Sequence, residues 1–323
     1  MNVVRGTEHW PPATDRDPGP AGGSGQHGRP GWTGPVVTIG NFDGVHLGHR
    51  ALIDATRARA AALGAPAVVV TFDPAPRDVL RPDNGIPRIQ SLDRKRAHLE
   101  AAGLDAMVIQ PFDRALAAMT PEAFAARHLG EHLGVRALVV GHDFRFGRAR
   151  AGSAATLREV LGVPVEEVEA RAIAGDDAPV SSSRIREALT AGDVAGAARL
   201  LGHPHELVGT VIHGDQRGRT IGFPTANLVP EGGLVPPHGV YAVRAEVDGA
   251  WRGGVANLGS RPTFDGRTVR LEVHLFDFAG DLYGRTLVVG LVDRLRGEQK
   301  FDGIDALVAQ IRADAEAARR IVG

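Results

Sequence analysis

The stretch that decides the fold of the first half reads Gly40-Asn41-Phe42-Asp43-Gly44-Val45-His46-Leu47-Gly48-His49. An apolar segment at 36–39 precedes it, and a segment with the apolar spacing of a helix follows at 50–63. Helix starts carry unpaired amides and partial positive charge, and glycines let the backbone approach an anion closely. Because the two imidazoles can also donate to a phosphoryl oxygen, we interpret the stretch as a phosphate site rather than as ordinary surface residues.

The composition of the chain excludes several classes of protein. A length of 323 residues with 43% hydrophobic residues is typical of two domains with real cores. A net charge of −1 lacks the basic excess of a nucleic-acid-binding protein, and the absence of cysteine excludes disulfides and thiolate metal sites. No apolar run is long enough for a membrane span or a secretory signal, so we expect a cytoplasmic protein. Homo-oligomer formation stays open.

The first half alternates short apolar segments with helical ones, which predicts a doubly wound, Rossmann-like parallel sheet. In such a sheet, ligands bind at the carboxyl ends of the strands. Residues 3–5 favour a short edge strand, and the proline- and glycine-rich segment at 11–33 favours a disordered loop. The predicted strands are 36–39, 67–72, 106–110, 137–140 and 163–168, and the predicted helices are 50–63, 92–102, 121–133 and 154–161.

The second half changes character. Residues 183–201 read as helices with a break at Gly192-Asp193, and strands with glycine-rich turns follow. We predict a small antiparallel β-barrel, with a hairpin at Asp248-Gly249 and a closing helix at 302–321. One face of that helix holds Ile304, Leu307, Val308 and Ile311. The predicted strands are 207–212, 240–247, 251–257, 269–276 and 287–292.

Further motifs follow the predicted strands. The first half contains Thr71-Phe72-Asp73-Pro74-Ala75-Pro76, Gly141-His142-Asp143-Phe144-Arg145-Phe146-Gly147 and Ser181-Ser182-Ser183-Arg184-Ile185-Arg186. The second half contains a glycine-rich segment, 209–228, that ends in Pro224-Thr225-Ala226-Asn227-Leu228, and a strand, 268–276, with Glu272 on its polar face. Taken singly, the loop at 141–147 is equally typical of an amphipathic loop with two core phenylalanines. The serines taken singly favour a helix cap, Glu272 a solvated strand face, and the Thr225–Asn227 pair a loop between two strands.

In this order, the motifs resemble those of the bacterial bifunctional riboflavin kinase/FMN adenylyltransferases, or FAD synthetases. The resemblance runs from about residue 36 to the C-terminus. It implies an FMN adenylyltransferase domain at 1–186, a helical linker at 187–204 and a riboflavin kinase domain at 205–323. The implied enzyme phosphorylates riboflavin to FMN with ATP, then adenylates FMN to FAD and releases pyrophosphate.

For the adenylyltransferase, the resemblance implies that ATP is bound by the 40–49 stretch and by a serine-rich helix start, with His46 and His49 catalytic. A second loop would contact the flavin. The sequence departs from the family at Ala75, where the family usually has a phosphate-binding histidine, and at Ser183, which replaces a threonine. The implied ATP-binding residues are Gly40, Asn41, Phe42, Asp43, Gly44, His46, His49, Ser182, Ser183 and Arg186, and the implied flavin-binding residues are Asp143, Phe144 and Phe146.

For the kinase, the resemblance implies an ATP site formed by Gly214, Gly218, Thr225 and Asn227. Thr225 and Asn227 would also hold Mg²⁺, since side-chain oxygens suit a hard cation. Glu272 would be the general base for the riboflavin hydroxyl.

Three alternatives remain. Another small-molecule adenylyltransferase, acting on pantetheine phosphate or a nicotinamide nucleotide, would leave the second-half motif unexplained. A class I aminoacyl-tRNA synthetase is disfavoured by the near-neutral charge. A flavin-binding carrier or sensor with impaired adenylyl transfer is favoured by Ala75 alone.

Overall fold

The computed structural model describes residues 1–10, 32, 34–214, 218, 221–263 and 266–323. The loop predicted at 11–33 therefore lies almost wholly outside the described residues. Contacts divide the chain into two compact units, Met1–Ile86 with Leu92–Pro179 and Pro87–Ser91 with Val180–Gly323. The functional boundary after residue 186 stays a prediction.

The described residues of the first unit form one parallel sheet of six strands, in the order β1-β4-β3-β2-β5-β6. Valine, isoleucine and alanine dominate these strands, and both faces of the central ones are buried, which is why the apolar segments read as continuous. The predicted edge strand is confirmed as β1. The strands are β1 Asn2–Arg5, β2 Val36–Ile39, β3 Ala67–Phe72, β4 Ala106–Gln110, β5 Ala137–Gly141 and β6 Val165–Val168.

Helices cover both faces of this sheet. Ile53 of α1 and Leu99 of α3 pack on one face, while Leu129 and Leu157 pack on the other with Trp10. The helices are α1 Leu47–Leu63, α2 Pro76–Leu80, α3 Leu92–Ala101, α4 Arg114–Ala118, α5 Pro121–Phe124 and α6 Ala154–Leu161.

The helices α2 and α4 were not predicted from the sequence, and two of the helices that were predicted differ in the structure. α1 begins at Leu47, before the predicted start at 50, because His46 already caps it. The helix predicted at 121–133 is α-helical only to Phe124 and continues as a π-helical segment, Ala125–His132. This segment places His128 and His132 on the same side, facing Thr7 of a short 3₁₀ turn, Thr7–His9.

The described part of the second unit contains two helices followed by a closed antiparallel barrel in the order β10-β11-β8-β7-β12-β9. The helix break is confirmed, and so is the hairpin, where Asp248 and Gly249 both have positive φ. The elements are α7 Ser182–Ala191, α8 Val194–Leu201, β7 His205–Ile212, β8 Ala226–Leu228, β9 Gly239–Val247, β10 Ala250–Thr263, β11 Gly266–Leu275 and β12 Thr286–Arg296.

The closing helix, α9, spans Ile304–Val322. It packs on the barrel through its second half, where Ala315, Ala318 and Val322 are buried. The prediction that Ile304 belongs to the buried apolar face of this helix was wrong, since Ile304 is 66% exposed. Leu307 and Ile311 instead line a cavity between helix and barrel. The strand predicted at 269–276 ends one residue earlier, at Leu275, and the Phe276 ring is buried beside α9.

A search of the described helices for a long apolar segment able to cross a lipid bilayer finds none.

Candidate functional site

The loop between β2 and α1 has a constrained backbone. Phe42 and Val45 adopt positive φ values of 47° and 42°, which non-glycine residues rarely do, and Gly44 has φ 91°. The side chains of Phe42 and Val45 are both fully buried, which holds the backbone in this conformation. The loop therefore leaves β2 at its carboxyl end and enters α1 in one defined path.

His46 and His49 meet at the start of α1. His46 is the N-cap, and its Nδ1 accepts a hydrogen bond from the backbone amide of His49 at 3.3 Å. The two rings are stacked with centroids 3.6 Å apart. Because Nδ1 of His46 acts as an acceptor, a neutral His46 carries its proton on Nε2.

The ring of His49 is partly exposed, but its Nδ1 atom is buried without a hydrogen-bond partner among the described residues. Burial lowers the pKa of His49 well below its usual value of 6.5, and the nearby His46 and Lys95 lower it further. His49 is therefore neutral at pH 7. A buried polar atom without a partner, at a helix start, suits a ligand that supplies the missing contact.

Two charged side chains fix the loop, and neither was predicted from the sequence. Arg77 of α2 donates to Asp43 at 3.1 Å, and the Lys95 ammonium of α3 donates to the carbonyl of Asn41 at 2.8 Å. The sequence held a signal for Lys95, because lysine occurs only at positions 95 and 300. Helical periodicity alone does not reveal that a lysine is buried beside a distant loop.

Ala75 is the N-cap of α2, and its side chain makes no capping hydrogen bond. A methyl group can neither cap the helix nor contact a phosphate. The departure from the family motif thus lies one residue before α2, the helix that carries Arg77.

The predicted flavin-binding loop follows β5. Asp143 is exposed, Phe144 is half-buried, and the two phenylalanine rings stack with centroids 5.5 Å apart. Phe146 is only 8% exposed and belongs to the hydrophobic core. A flavin at this loop would therefore meet Asp143 and Phe144 before Phe146, whose ring supports Phe144 from below.

The serine-rich motif begins α7, which belongs to the second compact unit. The Ser181 hydroxyl caps the helix by accepting from the amide of Arg184, and Nε of Arg186 donates to the Pro87 carbonyl at 3.0 Å. The alternative interpretation of the serines as a helix cap is correct for Ser181. The predicted phosphate contacts of Ser182, Ser183 and Arg186 remain a prediction.

In the second unit, the structure brings Thr225, Asn227 and Glu272 together. Asn227 is buried and donates through Nδ2 to both oxygens of Thr225, the hydroxyl at 3.3 Å. In the pairing of β8 with β11, Asn227 lies opposite Glu272. The space beside Asn227 requires Gly214, because a Cβ there would lie 2.7 Å from the amide group of Asn227.

Two cavities adjoin these residues. The larger, of about 690 Å³, lies between the barrel and α9. It is lined by Glu272, Asn257 and Gly218, by aromatic and aliphatic side chains, and by the further charged residues Arg296, Glu298, Lys300 and Asp314. The smaller, of about 270 Å³, is lined by Tyr283, Phe278 and their neighbours. Thr225 lines both cavities, so a group bound at Thr225 can be reached from either side.

Comparison with protein families gives two matches. The FAD synthetase family model matches residues 29–184, and the riboflavin kinase family model matches residues 201–322. The first match covers the unit with the β2–α1 loop, and the second covers the barrel and α9.

Curated relatives match over nearly the whole chain. The bifunctional riboflavin kinase/FMN adenylyltransferase of Pseudomonas fluorescens is 43% identical, over 91% of this chain and 94% of its own length. The protein of the same description from Escherichia coli strain K12 is 42% identical, over 90% and 93% of the two chains. That from Bacillus subtilis is 39% identical, over 88% and 92%.

Among solved structures, a crystal structure described as a macrolide-efflux protein from Streptococcus pneumoniae aligns with a TM-score of 0.85 and 31% identity, over 99% of both chains. That description belongs to the pneumococcal protein and differs from those of the curated relatives. The likeness to the pneumococcal structure is one of architecture, whereas the two family models each match one half of the chain.

Proposed function

This chain belongs to the family of bifunctional riboflavin kinase/FMN adenylyltransferases, and on that premise we propose how its residues perform the two reactions. The second unit phosphorylates riboflavin to FMN with ATP, and the first unit joins FMN to the AMP part of ATP to give FAD and pyrophosphate. The observation that carries the proposal is Thr225, which lines both cavities of the barrel beside Glu272.

In the kinase reaction, we assign the larger cavity to riboflavin. Its aromatic and aliphatic residues suit a flat ring system, and its polar and charged residues suit the polar groups of the flavin ring and the ribityl chain. Its volume is typical of a small-molecule site. Glu272 accepts the proton of the ribityl 5′-hydroxyl as that oxygen attacks the γ-phosphorus. A new oxygen–phosphorus bond forms, the bond between the γ-phosphorus and its bridging oxygen breaks, and ADP leaves.

We assign the smaller cavity to the nucleotide of the kinase reaction. The ring of Tyr283 lies in its wall and is stacked on His213, with centroids 3.9 Å apart, which provides a flat surface for a base. A nucleotide held there has its phosphates directed toward Thr225, and the riboflavin hydroxyl approaches from the other side. Phosphoryl transfer needs mainly such positioning and charge neutralisation.

The oxygens of Thr225 and Asn227 fit a magnesium ion. Side-chain oxygens are hard ligands, and Gly214 leaves room beside Asn227 that a Cβ would fill. Nδ2 of Asn227 lies 3.3 Å from Oγ1 of Thr225, which keeps the two side chains together. Magnesium, when bound, would neutralise phosphate charge. The chain's own contribution is to orient the two side chains through the Asn227–Thr225 hydrogen bonds.

In the adenylyltransferase reaction, an oxygen of the FMN phosphate attacks the α-phosphorus of ATP. The bond to the oxygen that bridges the α- and β-phosphorus atoms breaks, and pyrophosphate leaves without a covalent enzyme intermediate. His46 donates from Nε2, and neutral His49 lies beside it at the start of α1, where partial positive charge favours the transition state.

One assay tests the proposal. The purified protein is incubated with riboflavin, ATP and Mg²⁺, and the flavins are separated by chromatography. Appearance of FMN followed by FAD supports it. Riboflavin recovered unchanged would indicate a carrier or sensor. FMN that is never converted to FAD would contradict the assignment of adenylyl transfer to the first unit. Cytoplasmic localisation and the absence of nucleic-acid partners remain predictions.

A further inference from the structure

The carbonyl of Asn41 is held from two sides. The Lys95 ammonium, from α3, donates to it at 2.8 Å, and the Thr71 hydroxyl, from the end of β3, donates at 3.2 Å. Asn41 is the second residue of the β2–α1 loop, directly before the positive-φ residue Phe42. Two donors from separate elements thus fix the point at which the loop departs from the sheet.

Lys95 is an unusual residue for this position. Its side chain is only 7% exposed, and lysine is otherwise found only at position 300 in a chain that uses arginine nearly everywhere. Burial of an ammonium group is costly unless hydrogen bonds compensate it. A helix that only needed to cover the sheet would place an apolar side chain there, as α3 does at Leu99.

The loop depends on such support. Phe42 and Val45 hold a backbone conformation that is unfavourable for their residue types and persists only where surrounding contacts enforce it. The same loop leads into the amides and imidazoles at the start of α1. A small rotation at Asn41 would therefore displace the amides and imidazoles at the start of α1.

We propose that Lys95 is a positioning residue for adenylyl transfer, which holds the Asn41 carbonyl so that the loop presents its amides and His49 to the nucleotide. The inference rests on the proposed assignment of the first unit to FAD formation. Lys95 acts through the loop, and its contact to Asn41 accounts for a buried lysine where packing alone would favour a hydrocarbon side chain.

A second consequence concerns charge. The side chains that act on the pKa of His49 are His46, from the loop, and Lys95, from α3, while Asp43 is paired with Arg77 of α2. Both His46 and Lys95 disfavour protonation of His49. Removal of the Lys95 charge therefore moves the pKa of His49 back toward its ordinary value, whereas removal of the Thr71 hydroxyl does not.

The experiment compares Lys95→Met, Lys95→Arg and Thr71→Val, with Arg57→Met on the exposed face of α1 as the control for loss of a cation. The kcat and the KM for ATP of FAD formation from FMN are measured across pH 5–9. FMN formation from riboflavin in the same samples reports on the second unit. A misplacement of about 1 Å can lower a rate by roughly 100-fold.

We expect Lys95→Met to lower FAD formation by about 10- to 100-fold, to leave FMN formation within about twofold, and to shift the acid limb of the FAD profile to higher pH. Lys95→Arg should keep the acid limb of the wild type, and Thr71→Val should lower FAD formation without shifting it. Arg57→Met should behave as wild type.

The proposal is overturned if Lys95→Met matches wild type in rate and pH profile. If Lys95→Met does not fold, the proposal is tested by Thr71→Val, which removes the other donor to the Asn41 carbonyl. Unchanged kinetics in Thr71→Val would then overturn the proposal, because they would show that the lysine serves folding alone. Failure of the wild-type protein to form FAD contradicts the proposed function itself, and the inference with it.

Discussion

Glu272 of β11 lies directly opposite Asn227 of β8 in the antiparallel pairing of the barrel. The proposed base and the proposed phosphate-binding amide are therefore fixed by one strand pair, and on its other side Glu272 is paired with Asn257 of β10. Residues on strands are held more firmly than residues on loops, which favours catalysis by positioning.

Glu272→Gln tests this base. The amide keeps the size and hydrogen-bonding capacity of the side chain but cannot accept the proton of the hydroxyl. We expect FMN formation to fall by about 10²- to 10⁴-fold, as measured by flavin chromatography. FAD formation from supplied FMN should remain, because it uses the first unit. Full kinase activity in the variant would remove Glu272 from the mechanism.

His49→Ala is the reciprocal test. It deletes the imidazole with the unpartnered buried nitrogen at the start of α1. We expect FAD formation from FMN to fall by about 10²- to 10³-fold, the range for loss of one donor to developing charge. FMN formation from riboflavin should be unaffected. Equal loss of both products would contradict the division of labour between the units.

Much of the fold follows from the sequence because its signals are local. The alternation of short apolar segments with helices predicts the parallel sheet of the first unit. In the second unit, Asp248-Gly249 predicts the hairpin between β9 and β10, because both residues can adopt positive φ. The β2–α1 loop was located for the same reason, since strand, turn and helix start are contiguous in the chain.

The rest depends on contacts between distant residues. β8 has only three residues and was missed as a strand, because Asn227 is buried by its neighbours in the barrel and not by an apolar pattern. The exposure of Ile304 depends on where α9 meets the barrel. The burial of Lys95 depends on its contact with Asn41, which lies 54 positions earlier in the chain.

Ala75→His tests the cost of the departure from the family motif. Ala75 is an N-cap with extended backbone, and its side chain makes no hydrogen bond. Replacing it with histidine therefore removes no existing side-chain hydrogen bond. We expect the rate of FAD formation to rise by about tenfold or more if a phosphate contact is restored, since one hydrogen bond to a charged group contributes about 1.5 kcal/mol or more. Steady-state kinetics with FMN and ATP measure it. An unchanged rate would mean that other groups already supply that contact.

The first unit should lose stability in mild acid. Burial is the largest cause that lowers the pKa of both His49 and His128 below 6.5. Between that value and the lower folded-state pKa, the unfolded chain binds protons that the folded chain does not, so the free energy of unfolding falls as pH falls. Above pH 6.5 both states are neutral at these residues, and the dependence vanishes.

The slope is at most about 1.4 kcal/mol per pH unit for each histidine, and the partly exposed ring of His49 contributes less than this limit. Urea unfolding from pH 5 to pH 8, followed by tryptophan fluorescence, measures it. His128→Gln should flatten the slope, because glutamine does not titrate. A slope that is the same in His128→Gln as in the wild type would show that other groups cause it.

Thr7→Val should destabilise the first unit. The buried Thr7 hydroxyl lies 2.7 Å from Nδ1 of His128 and 3.0 Å from Nδ1 of His132, so it donates to one ring and accepts from the other. Valine keeps the shape but leaves both nitrogens without this partner, which costs about 1–3 kcal/mol. The urea midpoint, read from the buried Trp10, should fall accordingly, while Thr7→Ser, which keeps the hydroxyl, should lose much less. Equal losses in the two variants would show that the methyl group, and not the hydroxyl between the imidazoles, anchors this segment to the sheet.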